Sequence, residues 1–210
     1  MLQPSDSSAP IRVSSGAITE YDSGERKMLL QIAHEAIIAL VEGRDISFPV
    51  PSPHLAEPRG VFTTIYSDHK LRGCVGFPVA TLPMFKAVAE TARAAASEDP
   101  RFARVRLPEA RTLRISISIL SPLRSISASE IEIGRHGLVI SKDARRGLLL
   151  PQVPVEHGWD PNTFLEQTCL KAGLPRDAWR NGAHIEAFTA EVFGDSDFEG
   201  FDFLREPSSP

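Results

Sequence analysis

Apolar positions 29, 32, 33, 36, 37 and 40 recur three and four residues apart and therefore share one face of a helix. Asp22 and Glu25 stand ahead of them in capping-box spacing and Gly43 follows, so the pattern predicts where this helix starts and stops. Residues 46–59 hold four prolines and no period, the signature of a loop. Two short apolar runs, 61–66 and 71–77, are separated by "SDHK" and predict a hairpin. Thr81 is placed to cap a second helix running to about residue 98, whose buried face carries Leu82, Phe85, Val88, Ala89, Ala92 and Ala96. Asp99 before Pro100 ends it, because the residue preceding proline disfavours the helical region.

Further on, Leu113, Ile115, Ile117 and Ile119 alternate with Arg114, Ser116, Ser118 and Leu120, a strand whose second face is small and polar. "HGLVIS" and "GLLLPQV" predict a second hairpin turning within 142–146, and the aliphatic second arm reads as a central strand. Asp160, Pro161 and Gly173 punctuate a third helix, and residues 184–193 read as a final strand. Three helices and about six strands, with hairpins interrupting the strand-helix order, predict an α+β architecture. Residues 1–24 are Ser/Pro-rich or aperiodic, and 195–210 are acidic with a Ser/Pro finish; both read as tails flanking a domain at 25–194. Phe198, Phe201 and Phe203 set the second tail apart, since three aromatics invite docking.

Charge narrows the function. A net charge of −4 and a pI near 5.9 argue against a protein that grips nucleic acid through many phosphates. No apolar run approaches the roughly 20 residues of a bilayer span, and the first ten residues lack a signal peptide's basic start and apolar stretch, so the reading is a cytoplasmic protein without a membrane partner. Two cysteines, Cys74 and Cys169, are too few for a disulfide framework, and neither they nor the six histidines fall at metal-ligand spacing. No metal or cofactor is implied.

Candidate chemistry concentrates in "LRGCVG", residues 71–76. In an extended strand Arg72 and Cys74 share one face, and a guanidinium beside a thiol favours the reactive thiolate. Gly73 and Gly76 add permissive backbone, and the following helix start would attract anions, so the stretch reads as an anion or carbonyl-oxygen pocket. The plainer reading is a packed cysteine in a bulged hairpin with Arg72 in an ion pair. No phosphate loop is present, because no lysine followed by Ser or Thr succeeds the glycines. In "EDPRF", Asp99 and Arg101 either tie down a turn or present a guanidinium to a ligand. His136, before Gly137 and a strand, is placed to offer a base at a sheet edge, while Cys169 lies on a buried helical stripe.

"RGVFTTI", "LRGCVGF", "EDPRF", "HGLVIS", "RGLLLPQV", "GWD", "TCLKAGLP" and "AEVF" follow one another in the order and spacing of the AMMECR family, which the chain resembles over about 25–194. Microbial members of that family are often called AmmeMemoRadiSam system protein A. The resemblance implies an α+β fold of a larger and a smaller subdomain, with the signature near the groove between them. It also implies two partners, a Memo-type protein and a radical S-adenosylmethionine protein. Arg72, Gly73, Cys74 and Gly76 match the signature; Asp99, Pro100, Arg101 and Phe102 match a second motif, and His136 with Gly137 a third. Val75 stands where isoleucine is more usual, and His157 where an acidic residue is frequent.

Two functions follow. In one, the chain is an enzyme or modifying component with Cys74 as nucleophile, His136 as general base or acid, and Arg72 and Arg101 as anion clamps. In the other it is a binding or adaptor protein whose groove at the motif takes a small-molecule or peptide ligand, with the cysteine as packing.

Overall fold

The structure, a computed structural model, describes residues 19–203; the portions of the two expected tails at 1–18 and 204–210 lie outside the described residues. In chain order the main elements begin with α1 (Ser23–Glu42), β1 (Gly60–Ser67), β2 (Lys70–Phe77), α2 (Met84–Ser97), α3 (Leu107–Ala110) and β3 (Arg114–Leu120). They continue with β4 (Arg124–Ser125), β5 (Gly137–Lys142), β6 (Arg145–Leu149), α4 (Gln152–His157), α5 (Pro161–Lys171), β7 (His184–Phe188) and β8 (Ala190–Gly194). The fold class is α+β: the described residues form three long helices, two short ones, and two four-stranded sheets in the orders β2-β1-β3-β8 and β4-β7-β5-β6. No helix among the described residues is long and apolar enough to cross a membrane.

The chain divides into two compact units, the first comprising the described residues up to Ile119 and from Val192, the second Leu120–Glu191. In the first, α1 begins where its cap dictates. The Asp22 carboxylate accepts the Glu25 N–H at 2.8 Å, Glu25 accepts the Asp22 N–H at 3.1 Å, and Gly43 closes the helix at a φ of 69°. β1 and β2 form the expected antiparallel hairpin through a tight turn in which Asp68 and His69 both adopt positive φ, 50° and 62°, the twist that a two-residue connection requires. α2 packs on these strands and on α1. Val61, Ile65, Ile115, Ile117 and Ile119 meet Leu29, Leu30, Ile37, Phe85 and Val88 in one core. Within it the Thr63 and Thr91 hydroxyls lie 2.7 Å apart, fully buried.

The cap expected at Thr81 is not there: α2 starts at Met84 behind Pro83, with no side-chain cap. Proline holds Leu82 out of the helical region, and the Met84 N–H donates instead to the Glu57 carbonyl at 3.1 Å. Beyond Gly194 the expected tail packs as far as it is described. Asp195 is buried, and Phe203 is only 6% exposed, stacked on His34 with ring centroids 5.3 Å apart. Aromatic area outweighs the polar composition of that segment.

In the second unit α5 is capped by Asp160, which accepts the Thr163 N–H at 2.7 Å, and it lies on β5 and β6 over a core of Leu138, Ile140, Phe164, Leu165, Cys169 and Ala187. Burial pushes the Cys169 thiol up. β6 is an edge strand, not a central one. Its aliphatic character is explained by the helix end above it: a Cβ on Gly147 would stand 2.3 Å from the Ala172 nitrogen. "PQV" opens α4 rather than extending the strand. The single strand expected over 184–193 breaks at Thr189 into β7 and β8, which belong to different sheets. Ser121 holds the break, donating its N–H to the Thr189 carbonyl at 2.9 Å and accepting the Thr189 N–H on its hydroxyl at 3.0 Å.

Candidate functional site

β2 is the edge strand of its sheet, so the N–H groups that point away from β1 need partners of their own. At Cys74 the partner is Asp99, two residues beyond α2, whose Oδ2 accepts the Cys74 N–H at 2.9 Å. The same carboxylate accepts the Arg101 N–H at 3.1 Å and the Arg101 guanidinium at 3.0 Å and 2.7 Å. The Arg101 guanidinium holds the Asp99 carboxyl well below the usual carboxylate range against the upward push of burial, and the two N–H groups add to it. Arg101 is pushed up by Asp99 in turn, and to a smaller degree by Cys74.

Arg72 is the extra residue of a β-bulge. Ile65 pairs with Gly73 and Tyr66 with Leu71, so nothing on β1 stands opposite it. The bulge interrupts the alternation on which a shared Arg72/Cys74 face depends. The Arg72 guanidinium turns to Glu109 of α3, donating from Nε to Oε1 and from Nη2 to Oε2 at 3.1 Å. Its Nη1 is buried and has no hydrogen-bond partner among the described residues. The Phe102 ring is close to both motif arginines, 6.0 Å from the Arg72 guanidinium and 5.3 Å from that of Arg101.

The half-buried Cys74 sulfur accepts a hydrogen bond from the Thr64 hydroxyl, directly across the ladder, at 3.3 Å. Tyr66 is close as well: burial pushes its phenol up, and Cys74 adds to that. Gly73 and Gly76 serve packing rather than an open nest of amides. A Cβ on Gly73 would meet the Ala95 carbonyl oxygen at 2.1 Å, and one on Gly76 would enter the Phe62 ring at 2.1 Å. Thus the end of α2 that lies on the motif is its carbonyl end, which attracts cations, whereas the anion-attracting end lies away at Met84.

His136 belongs to the second unit and is buried, 2% exposed. Its Nδ1 accepts the Glu132 N–H at 3.1 Å, which closes the turn before β5. Burial pushes its pKa down, and nearby Arg124 pushes it further. No group of three His, Cys, Asp or Glu among the described residues is placed to hold a metal ion.

Comparison with known proteins identifies the architecture around this motif. The family model described as AMMECR1 matches residues 30–193. The chain belongs to the AMMECR1 family. Protein MK0488 of Methanopyrus kandleri is 44% identical over 188 residues, covering 84% of this chain and 91% of that protein. Protein MJ0810 of Methanocaldococcus jannaschii is 46% identical over 147 residues, 65% of this chain and 73% of its own length. The crystal structure of the uncharacterised protein PH0010 from Pyrococcus horikoshii superposes with a TM-score of 0.68 at 40% identity, covering 80% of this chain and 90% of that one.

In this AMMECR1-family chain several residues of the motif's surroundings escape a reading by sequence pattern. Glu109, the partner of Arg72, is 37 positions away; its one visible mark is that it is the only acid among five arginines over 101–114. Thr64 is marked by nothing but its place opposite Cys74 once the hairpin register is known. His34 and Asp195, 161 positions apart, form a buried pair at 3.0 Å that no local spacing announces.

Proposed function

We propose that this AMMECR1-family protein is a binding module, and that the Cys74 region recognises a carboxylate or carbonyl group of a peptide or small-molecule ligand. The observation that carries this reading is Arg72 Nη1, a buried donor without a partner among the described residues, beside a Phe102 ring that two guanidinium groups approach. A buried donor left unsatisfied costs about 1–3 kcal/mol, which an arriving acceptor recovers. Glu109 and Asp99 neutralise the two arginines, so recognition is by directed hydrogen bonds and ring contact rather than by bulk charge. Cys74 supplies packing and its backbone N–H anchors Asp99. The Memo-type and radical S-adenosylmethionine proteins implied by the family resemblance are the partners whose segments this region would take.

The other reading, a nucleophilic Cys74, draws on a half-buried residue whose sulfur lies beside Thr64 and Tyr66. An array of acidic peptides screened against the full chain separates the two. Binding that falls roughly tenfold in Arg72→Gln and persists in Cys74→Ser supports recognition. Loss of binding in Cys74→Ser, with a covalent adduct on Cys74 in the wild type, would overturn it.

A further inference from the structure

A second site lies within the first unit, built from α1, the start of β3 and the segment after β8. It is a cavity of about 320 Å³ lined by His34, Arg111, Arg114, Asp195, Phe201, Asp202 and Phe203, with Thr112 and Leu113 between the two arginines. His34 and Asp195 are 5% and 2% exposed. Asp195 accepts from His34 Nε2 at 3.0 Å and from the Ile115 N–H at 2.9 Å, so its carboxylate is occupied by protein donors.

Arg111 and Arg114 are exposed and have no carboxylate partner among the described residues, in contrast to Arg72 and Arg101. They end a stretch, residues 101–114, that holds five arginines and one glutamate, four net positive charges on a chain whose total is −4. Two exposed guanidinium groups free of carboxylate partners among the described residues hold an oxyanion at short range through their planar forks. Phe201, 38% exposed, offers its ring beside them, tilted against Phe203 with centroids 4.8 Å apart.

We infer that this cavity binds a small aromatic oxyanion: Arg111 and Arg114 take the phosphate or carboxylate, and the planar body lies along the exposed ring of Phe201. The site is separate from the Cys74 region and does not depend on the reading given to it.

Adenosine monophosphate and benzoate serve as probes, one carrying phosphate and the other carboxylate on an aromatic body, titrated by calorimetry against the full chain at low salt. Saturable binding of at least one is expected, weakened roughly tenfold in Arg111→Gln and in Arg114→Gln and weakened further by added salt. Adenosine alone, which lacks the oxyanion, binds more weakly than adenosine monophosphate. Both arginines are exposed, so these variants keep the wild-type melting temperature, which is measured alongside. Absence of binding by both probes at millimolar concentration overturns the inference, as does binding that is unchanged in the Arg111→Gln/Arg114→Gln double variant.

Discussion

The backbone N–H of Cys74 and the carboxylate of Asp99 are joined by a 2.9 Å hydrogen bond that ties an edge strand to the turn after α2. Replacing Asp99 by alanine leaves that N–H without its acceptor and frees Arg101, for an expected loss of about 1–3 kcal/mol. Asparagine keeps an acceptor oxygen and loses the charge, so Asp99→Asn is milder. Urea unfolding of the two variants checks the order.

Because the folded-state pKa of Asp99 is depressed, its ionic contribution is fully present above the unfolded carboxylate value of about 3.9 and fades as pH falls through the folded value. The stability difference between wild type and Asp99→Asn is therefore constant from neutral pH down to about 4 and shrinks below it. Urea midpoints across an acid series measure this, and a difference that persists undiminished in strong acid would contradict the pairing.

Thr91 donates its hydroxyl proton to the Ala87 carbonyl at 2.8 Å, so in the buried Thr63–Thr91 contact Thr63 is the donor. Thr91→Val strands that donor and is expected to cost about 1–3 kcal/mol, while Thr63→Val removes it together with its need and costs less. A double-mutant cycle in which Thr63→Val relieves part of the Thr91→Val loss confirms the direction.

Gly73 and Gly43 require glycine for different reasons, which alanine scanning distinguishes. At Gly73 the added Cβ collides with the rigid Ala95 carbonyl, and about 1–3 kcal/mol or more is lost as α2 moves off the sheet. At Gly43 there is open space and only the left-handed φ of 69° resists, so Gly43→Ala costs about 1 kcal/mol. Thermal melts should rank Gly73→Ala as the more damaging.

What could be read from sequence tracks how local each determinant is. α1 was legible because Asp22, Glu25 and Gly43 mark both its ends within the helix's own neighbourhood. The hairpin of β1 and β2 was legible for the same reason, yet the bulge at Arg72 was not, since it is a property of the pairing and not of either strand. That bulge interrupts the strict alternation from which a shared Arg72/Cys74 face was expected. Thr81 looked like a cap but stands ahead of Pro83, whose restriction on its predecessor prevails. The break at Thr189 carries no glycine or proline, so an apolar run that serves two sheets reads as one strand. Glu109, Asp195 and the other partners across long separations are chosen by tertiary packing and leave no periodic trace.

The proposed binding role makes Cys74 a packing residue and not a nucleophile. Its most direct test is the rate of alkylation of Cys74 by iodoacetamide in the native chain at neutral pH, followed by peptide mass mapping so that buried Cys169 is counted separately. The expected rate is no faster than that of a free cysteine in the same buffer. A rate roughly tenfold faster, slowed by Arg101→Gln, would show an activated nucleophile and contradict it.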